Sequence, residues 1–273
     1  MTECIHGLEL SRCDLCSPKV LPKPDPAART ATRARARRMP SGSTRVAGAS
    51  KPLASVAEHR IHHVTHVSNL ESIVRSGGLF ADACEAGTGP AMDMSSGGNR
   101  NLRRTTVVAG AAMVADYVPF YLSPDAQLWE AIRAGAADPR LSASVGALPA
   151  SEFVIFVSTV GKVAGLMKHA ATADIVVSDR DAADPRSHFS ASATGASSDD
   201  YERMLRRIVA DRDGDSALRA EFLVKNTVPL AAFSLISVAN DRARERVRSI
   251  LDTWDFQPRV AVHPPWFAVP TPA

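Results

Sequence analysis

Short blocks of alternating hydrophobic and polar residues begin the patterned part of this chain. Residues 62–67 read His-His-Val-Thr-His-Val, a β-branched alternating run that predicts a strand, and we expect the ordered domain to begin at Ile61. Apolar side chains then recur with helical spacing over residues 70–74. This spacing predicts a helix, capped by Ser68 or Asn69 and ended by a pair of glycines.

The rest of the patterned region alternates between short apolar runs and helical stretches. Residues 153–157 are all apolar and predict a buried strand, whereas the Arg-rich stretch after Asn240 has the spacing of an amphipathic helix capped by that residue. Residues 99–104 follow a Gly/Ser/Met-rich loop and predict a basic turn. Further strands are predicted at 114–122, 175–177, 220–224, 233–238 and 260–262, and further helices at 127–134 and 201–209.

Strands of this length, mixed with few helices, favour an α+β fold. The chain has no regular strand-helix-strand rhythm, so we predict a largely antiparallel sheet. Pro119 lacks a backbone donor and predicts an edge or a bulge in the strand at 114–122.

The composition fits one soluble domain with a tail. The 273 residues are 45% hydrophobic, 22% charged and 5% aromatic, which is enough for a sizeable core. No apolar run approaches the roughly 18 residues of a membrane span, and the start lacks the basic and apolar segments of an export signal. We therefore expect a soluble, cytoplasmic protein without a membrane partner.

The formal net charge of +3 conceals an uneven distribution. Residues 1–56 hold ten Lys and Arg against four Asp and Glu, a net +6, which leaves −3 for the remainder. Residues 18–57 are rich in Pro, Ala, Ser, Gly and Arg and have little to bury, so we expect a flexible, disordered basic linker. Two interpretations stay open: a tether that grips phosphates with salt-sensitive affinity, and a solubilising tail.

Three of the four cysteines lie in the first 16 residues. Cys13 and Cys16 have the Cys-x-x-Cys spacing that brings two thiolates to one metal, and Cys4 with His6 supplies two more ligands. Residues 1–17 cannot bury a core, so a bound zinc ion would supply most of their folding free energy. We predict a small zinc-knuckle-like Cys3His segment here, and incidental thiols are the alternative.

Two places in the patterned region carry candidate chemistry. Glu221 stands at the mouth of the apolar strand at 220–224, where a carboxylate is a candidate for site chemistry and a plain surface charge is the alternative. In the first strand, His63 and Thr65 share one face while His66 lies on the other, so the three do not easily bind one metal. A structural role is the default for each histidine taken alone.

Taken together, these blocks resemble the DarT family of DNA ADP-ribosyltransferase toxins. They occur in the family's order over residues 61–262, and the most distinctive is Asp-Tyr-Val-Pro-Phe-Tyr at 116–121. The others are His-Val-Thr-His-Val-Ser-Asn-Leu at 63–70, Ile73 with Gly77-Gly78-Leu79, and Ala-Glu-Phe-Leu-Val at 220–224 with Val228-Pro229. We assign residues 58–268 to the DarT-like domain, and the segments before it lie outside the resemblance.

The resemblance implies a fold, a reaction and a set of residues. The fold is an ADP-ribosyltransferase-like split pair of antiparallel sheets with NAD in the cleft. The reaction transfers ADP-ribose from the co-substrate NAD to a base of single-stranded DNA. Glu221 matches the catalytic glutamate, and Tyr121 corresponds to the middle member of the superfamily's His/Tyr/Glu triad. NAD contacts are expected from His63, Val64, Thr65, Ser72, Phe80 and Tyr121.

A carboxylate suits this chemistry. Loss of nicotinamide leaves an oxocarbenium-like ribose, and Glu221 lowers the barrier if it bonds a ribose hydroxyl more tightly in that state. The block at 119–121 would form the wall on the nicotinamide side and keep water from the cation. No metal is needed, because nicotinamide leaves as a neutral molecule.

The family also uses an arginine shortly before its Asp-Tyr-Val-Pro block, described as taking a proton from the target base. Arg100, Arg103 and Arg104 compete for that place, and we favour Arg104, then Arg103. An arginine is effectively always protonated, so clamping the NAD pyrophosphate or orienting the base is physically easier. The Gly/Ser-rich loop and Ala115 depart from the family pattern, which leaves thymine and guanine open as target bases.

The resemblance further implies the toxin of a toxin-antitoxin system, held in check by a macrodomain partner resembling DarG that removes the modification. Two alternatives stay open. The same fold could modify RNA or a protein. A catalytically dead transferase fold could instead serve as a zinc-anchored nucleic-acid-binding module.

Overall fold

The computed structural model describes residues 55–167, 174–192, 198–211 and 214–269, all of which belong to the unit Ser50–Ala273. The metal ligands expected at Cys4, His6, Cys13 and Cys16 lie outside the described residues, as does the expected linker up to residue 54. The described part begins with a 3-10 turn at Val56–Glu58, just before the first strand. Within it, no helix has the length and apolar character to cross a bilayer.

Short strands alternate with helices along the described residues, which confirms the α+β class expected from the sequence. The strands are β1 (Arg60–His66), β2 (Gly78–Phe80), β3 (Val107–Ala109), β4 (Ala112–Met113), β5 (Tyr117–Tyr121), β6 (Phe153–Thr159), β7 (Ile175–Ser178), β8 (Phe189–Ala191), β9 (Glu221–Lys225), β10 (Thr227–Pro229), β11 (Leu235–Val238) and β12 (Arg259–Val262). The helices are α1 (Leu70–Arg75), α2 (Gly97–Thr105), α3 (Gln127–Ala134), α4 (Val160–Leu166), α5 (Ser198–Ala210), α6 (Asp215–Arg219) and α7 (Asp241–Leu251).

Eight of these strands form one sheet in the order β12-β11-β6-β1-β5-β9-β7-β8. Neighbouring strands run antiparallel, except that β11 and β12 run parallel. Two small ribbons, β2 with β10 and β3 with β4, stand apart from it. The sheet is therefore mixed and largely antiparallel.

The large sheet is nearly divided in two between β1 and β5. β1 pairs with β6 along its whole length, but it meets β5 only where His62 lies opposite Tyr121. Beyond that pair no ladder joins the two strands, and Pro119 lies in the part of β5 that faces the opening. A proline is tolerated there because its missing N–H removes no ladder hydrogen bond. The resemblance implied a split pair of sheets, whereas the structure has one eight-stranded sheet that opens between β1 and β5.

One large apolar core covers one face of the sheet, and two smaller cores lie on the other face. Phe120, Phe156 and Phe222 are fully buried in the core that also receives α1, α5 and α7. On the other face, Trp129 of α3 packs edge-to-face against Phe153. Each such side chain contributes about 1.5 to 3 kcal/mol when buried. Alternate residues of β6 serve different cores, which explains why residues 153–157 are all apolar.

The structure differs from the sequence expectation around α2 and β5. Residues 99–104 were expected to form a turn but lie inside α2. The Ser96 hydroxyl accepts a 3.1 Å hydrogen bond from the Asn99 N–H and caps this helix, which offsets the low helix propensity of Gly97 and Gly98. The strand expected at 114–122 is shorter than expected, because residues 114–116 form a 3-10 turn.

Candidate active site

A cleft of about 360 Å³ opens where β1 and β5 separate. Its volume lies in the range typical of small-molecule and cofactor sites. Arg104 is not among the residues that line it. The other catalytic and NAD-binding residues expected from the sequence all line it: His63, Val64, Thr65, Ser72, Phe80, Arg103, Tyr121 and Glu221.

Glu221 begins β9 and lies deep in this cleft, with only 5% of its side chain exposed. Its backbone N–H donates to Ser178 Oγ at 3.1 Å, which ties the start of the strand to β7. Its carboxylate accepts hydrogen bonds from Arg103 Nη1 at 3.2 Å, from Arg103 Nη2 at 3.0 Å and from the Ala182 N–H at 3.1 Å. A buried charge needs such partners, and these donors hold the carboxylate in one orientation.

Arg103 reaches the Glu221 carboxylate from α2 with both terminal nitrogens of its guanidinium. Burial alone would lower the pKa of Arg103, but the charge and hydrogen bonds of Glu221, together with nearby Asp181 and Tyr121, raise that pKa above its ordinary value. The guanidinium therefore stays protonated. It can donate hydrogen bonds and supply positive charge in the cleft, but it cannot accept a proton.

The other two candidate arginines pair with aspartates instead of Glu221. Arg104 Nε donates to Asp82 at 2.9 Å, and half of its side chain is exposed. Arg100 pairs with the same Asp82 and with Asp93. Successive residues of an α-helix point roughly 100° apart, so Arg103 and Arg104 cannot both face β9. The geometry favours Arg103, the second choice from the sequence, over Arg104.

His63 bridges the opening in the sheet. Its Nδ1 lies 2.9 Å from the carbonyl oxygen of Pro119, so Nδ1 carries the hydrogen and Nε2 is left as an acceptor. Burial lowers the pKa of His63. The ring is therefore neutral at pH 7 and can accept a hydrogen bond from a hydroxyl group in the cleft.

A buried asparagine ties together the loop and the strand that form another wall of the cleft. Asn69 Nδ2 donates to Thr65 Oγ1 at 3.0 Å and to the Met92 carbonyl at 2.9 Å, while Asn69 Oδ1 accepts from the Met92 N–H at 2.8 Å. Asn69 stands at the cap position of α1, but its side chain makes no cap hydrogen bond there. It fixes the loop that carries Met92 against β1.

Tyr121 and Pro119 line the cleft, whereas Phe120 between them points into the apolar core. This difference follows from the alternation of side chains along a strand, so two of the three residues expected to form a wall do so. Burial and the nearby charge of Glu221 raise the pKa of Tyr121. Its phenol stays protonated and can donate a hydrogen bond.

Sequence reasoning missed a layer of polar residues beside Glu221. Arg140 Nη1 donates to Asp181 Oδ2 at 2.7 Å, and both residues line the cleft. The next residue, Ala182, supplies the backbone N–H that bonds Glu221. These residues lie in segments without a motif or a clear periodicity, so the sequence held no signal that could have found them.

The family model described as "ssDNA thymidine ADP-ribosyltransferase, DarT" matches residues 62–268. The chain belongs to the DarT family. The resemblance carried by the sequence blocks is thereby confirmed. The Cys/His segment and the basic linker lie outside the residues that match the DarT model.

Curated relatives match most of this chain. A DNA ADP-ribosyl transferase of Thermus sp. (strain 2.9) is 28% identical over 210 residues, which are 76% of this chain and 95% of the relative. A DNA ADP-ribosyl transferase of Mycobacterium tuberculosis is 28% identical over 204 residues, which are 70% of this chain and 81% of the relative.

Solved DarT structures share the fold. Thermus sp. 2.9 DarT in complex with ADP-ribosylated ssDNA matches with a TM-score of 0.61 at 22% identity, over 77% of this chain and 96% of that chain. The same Thermus protein in complex with NAD+ matches with a TM-score of 0.57 at 24% identity, over 77% of this chain and 98% of that chain. Thermosipho africanus DarTG in complex with ADP-ribose matches with a TM-score of 0.57 at 16% identity, over 77% of this chain and 51% of that chain.

Proposed function

We propose that this chain is an NAD-dependent DNA ADP-ribosyltransferase, a pentosyltransferase that moves the ADP-ribosyl group of NAD to a base of single-stranded DNA. The observation that carries the proposal is the buried Glu221 carboxylate in the cleft, held by Arg103 and by the Ala182 N–H. Membership of the DarT family supports the reaction class. The solved complexes of the Thermus protein with NAD+ and with ADP-ribosylated ssDNA support the two substrates.

Glu221 acts on the ribose that carries nicotinamide. The bond from ribose C1′ to the nicotinamide nitrogen breaks with its electron pair moving to nitrogen, and the ribose gains oxocarbenium character. A carboxylate that accepts a hydrogen bond from a ribose hydroxyl stabilises this developing charge more than it stabilises the ground state. Arg103 keeps the carboxylate aimed while this happens.

The residues around Glu221 fit a bound dinucleotide. His63 Nε2 suits a ribose hydroxyl, because a neutral imidazole nitrogen accepts a hydrogen bond. Pro119 and Tyr121 form a wall that limits the access of water to the reacting carbon. Four further NAD contacts are proposed from their position in the same cleft: Val64, Thr65, Ser72 and Phe80.

Thymine is the proposed target base, and guanine is the alternative. The family description names thymidine, which supports thymine. The test uses oligonucleotides that contain a single thymine or a single guanine among adenines and cytosines. Label from NAD on the thymine oligonucleotide is expected, and label only on the guanine oligonucleotide would replace thymine by guanine.

The polymer that is modified can be identified in one mixture. Labelled NAD is incubated with the full chain, single-stranded DNA, RNA and protein, and Glu221→Gln serves as the matched variant of similar shape. We expect label on DNA alone and none with Glu221→Gln. Label confined to RNA or protein would contradict DNA as substrate. If Glu221→Gln turns over NAD no more slowly than the wild type, Glu221 is not catalytic and the alternative of a catalytically dead binding module is favoured.

The N-terminal segments are proposed to anchor and tether the transferase domain at residues 58–268. Residues 1–17 would bind one zinc ion through four side chains and residues 18–57 would link them to the domain, a proposal that rests on residue types and spacing. The described residues themselves contain no group of three or more His, Cys, Asp or Glu placed to hold a metal ion. Metal analysis should find about one zinc per chain, and a loss of zinc in Cys13→Ser; zinc-free wild-type protein would contradict the proposal.

A macrodomain antitoxin resembling DarG is the proposed protein partner, and the cytoplasm is the proposed place of action. Support comes from the family and from the fold shared with about half of Thermosipho africanus DarTG. Expression of the chain should arrest growth, and co-expression of an ADP-ribose-removing macrodomain should restore it. Growth arrest that persists although the DNA modification is removed would contradict this partner.

A further inference from the structure

The proposed transfer releases one proton that needs an acceptor in the cleft. Joining ribose C1′ to a base nitrogen forms a C–N bond and breaks an N–H bond, whether the base is thymine or guanine. Nicotinamide leaves with the electron pair of its own bond and as a neutral molecule, so it does not take this proton. A positioned group of the protein commonly accepts such a proton.

Three groups near the reacting atoms are poorly suited to accept it. Arg103 is held in its charged form by Glu221 and has no lone pair to offer. Glu221 already accepts three hydrogen bonds and is needed at the ribose. His63 has its Nδ1 committed to Pro119, and its Nε2 is the acceptor proposed for a ribose hydroxyl.

We propose that Asp181 takes the proton of the target base. This inference rests on the proposed function and adds a catalytic residue to it. Asp181 lies in the turn between β7 and β8 and lines the same cleft as Glu221. The peptide that joins Asp181 to Ala182 contacts the Glu221 carboxylate, because its N–H donates to Oε1 at 3.1 Å. A nucleobase that attacks a ribose bound at Glu221 would therefore approach the part of the cleft that Asp181 lines.

The contacts of Asp181 leave it able to accept. Its Oδ1 receives the Ala183 N–H at 2.8 Å and its Oδ2 receives Arg140 Nη1 at 2.7 Å. A carboxylate has about four lone-pair sites, so both oxygens retain acceptor capacity. The side chain is 18% exposed, which gives an accepted proton a route to water.

Charged and titratable groups surround this carboxylate on each side. Arg140 divides its positive charge between Asp181 and Asp138, to which it also donates from Nε and Nη2. From α2 and β5, Arg103 and Tyr121 lie close enough for electrostatic interaction with Asp181. Together with Glu221 these are the charged and titratable groups around the Asp181 carboxylate.

The test compares DNA transfer with NAD hydrolysis in the full chain. Water that intercepts the ribose cation loses its proton directly to solvent, so hydrolysis depends on Glu221 but not on a base for the nucleobase proton. Asp181→Asn keeps the size and the acceptor oxygen of the side chain. We expect the ratio of DNA transfer to NAD hydrolysis to fall about 10²-fold or more. The deficit should shrink as the pH rises and the nucleobase loses its own proton.

Asp179→Asn is the matched control. Asp179 lies in the same turn, is 12% exposed and binds His188 and Arg180, but it does not line the cleft. Its replacement should leave the ratio unchanged. Arg140→Gln is a second variant, which keeps the Asp181 carboxylate but removes its counter-charge. It should retain most of the transfer relative to NAD hydrolysis, because the accepting carboxylate is still present.

The results distinguish a failure of the Asp181 proposal from a failure of the proposed function. A ratio that stays unchanged in Asp181→Asn would overturn the proposal. If transfer and hydrolysis fall equally, Asp181 only positions Glu221, and if neither falls, Asp181 has no role in the reaction. A wild-type chain that hydrolyses NAD but never labels DNA would reject the proposed function itself. If Asp181→Asn fails to fold, Asp181→Ser, which also lacks the carboxylate, is compared in the same two assays, with the same outcomes for and against the proposal.

Discussion

At the scale of single residues, Glu221 shows how a charge is accommodated inside the protein. Burying an ion without partners is costly, and this carboxylate is surrounded by two guanidinium N–H groups and one backbone N–H. Breaking a buried ion pair by removing one partner leaves the other uncompensated. Arg103 therefore contributes both to the fold and to the geometry of the carboxylate that we propose to be catalytic.

Replacement of the two neighbouring arginines should separate their roles. Arg103→Gln is expected to lower the free energy of unfolding by about 3 kcal/mol and to abolish NAD turnover, because the pair it breaks is buried. Arg104→Gln should change both quantities little, since that side chain is half exposed. Denaturant unfolding and NAD turnover measure the two effects. If only Arg104→Gln lost activity, Arg104, the first choice from the sequence, would be the functional arginine of the site.

Buried histidines should make stability depend on pH. Burial lowers the pKa of His62 from 6.5 to about 3, so the ring is neutral in the folded chain while it is protonated in the unfolded chain below pH 6.5. The unfolded state then binds more protons, so the stabilising contribution is complete above pH 6.5 and is lost as the pH falls. The loss is about 1.4 kcal/mol per pH unit for such a group.

Thermal unfolding between pH 8 and pH 4 measures this effect. His62→Phe should keep the edge-to-face packing on Trp266 and show a shallower loss of stability below pH 6.5. His188→Gln is the control, because that ring is exposed. If His62→Phe loses as much stability below pH 6.5 as the wild type does, then His62 is not the source of the acid destabilisation.

At the scale of elements, α2 matters because it carries Arg103 to β9. Its Ser96 cap accepts from the Asn99 N–H, and Asn240 caps α7 in the same way by accepting from the Ala243 N–H. Ser96→Ala and Asn240→Ala should each cost about 1 kcal/mol of stability. Only Ser96→Ala should also reduce NAD turnover, because α2 lines the cleft and α7 does not. Equal activity losses in both variants would contradict a specific role for the α2 cap.

The elements that could be predicted from sequence are those whose pattern reports burial directly. Residues 153–157 became β6 and residues 127–134 became α3, because apolar content and helical spacing mark them. α2 could not be predicted, since its sequence is polar and begins with glycines. The start of this helix depends on a single capping serine, Ser96, that lies outside any apolar pattern. α4 and the ribbon of β2 with β10 were also missed, because they depend on contacts between distant segments.

The residues of the candidate site also differ in whether the sequence could identify them. Glu221 and His63 were identified because they lie in sequence blocks typical of the DarT family. Arg103 was only a second choice, because one helix position decides which of two adjacent arginines faces the carboxylate. Asp181 and Arg140 were missed, because their role arises only when two unpatterned segments meet beside β9.

At the scale of the whole molecule, the charge is distributed unevenly along the chain. Residues 1–56 carry a net +6 and the rest of the chain a net −3, so a slightly acidic transferase domain would have to hold a polyanion. Removal of residues 1–54 should weaken the affinity for single-stranded DNA, mainly at low salt, and leave NAD hydrolysis nearly intact. Binding titrations at several salt concentrations measure this. An unchanged salt dependence after truncation would refute the tether.

Glu221 is proposed to promote the transfer of ADP-ribose from NAD to a DNA base. Mass spectrometry of a modified oligonucleotide tests this role most directly. A single-stranded oligonucleotide with one thymine is incubated with NAD and the full chain, either wild type or Glu221→Gln. We predict that the wild type adds one ADP-ribosyl group to the thymine and that the variant is slower by about 10³-fold or more. An unmodified oligonucleotide with the wild type, or equal modification by both proteins, would contradict the account.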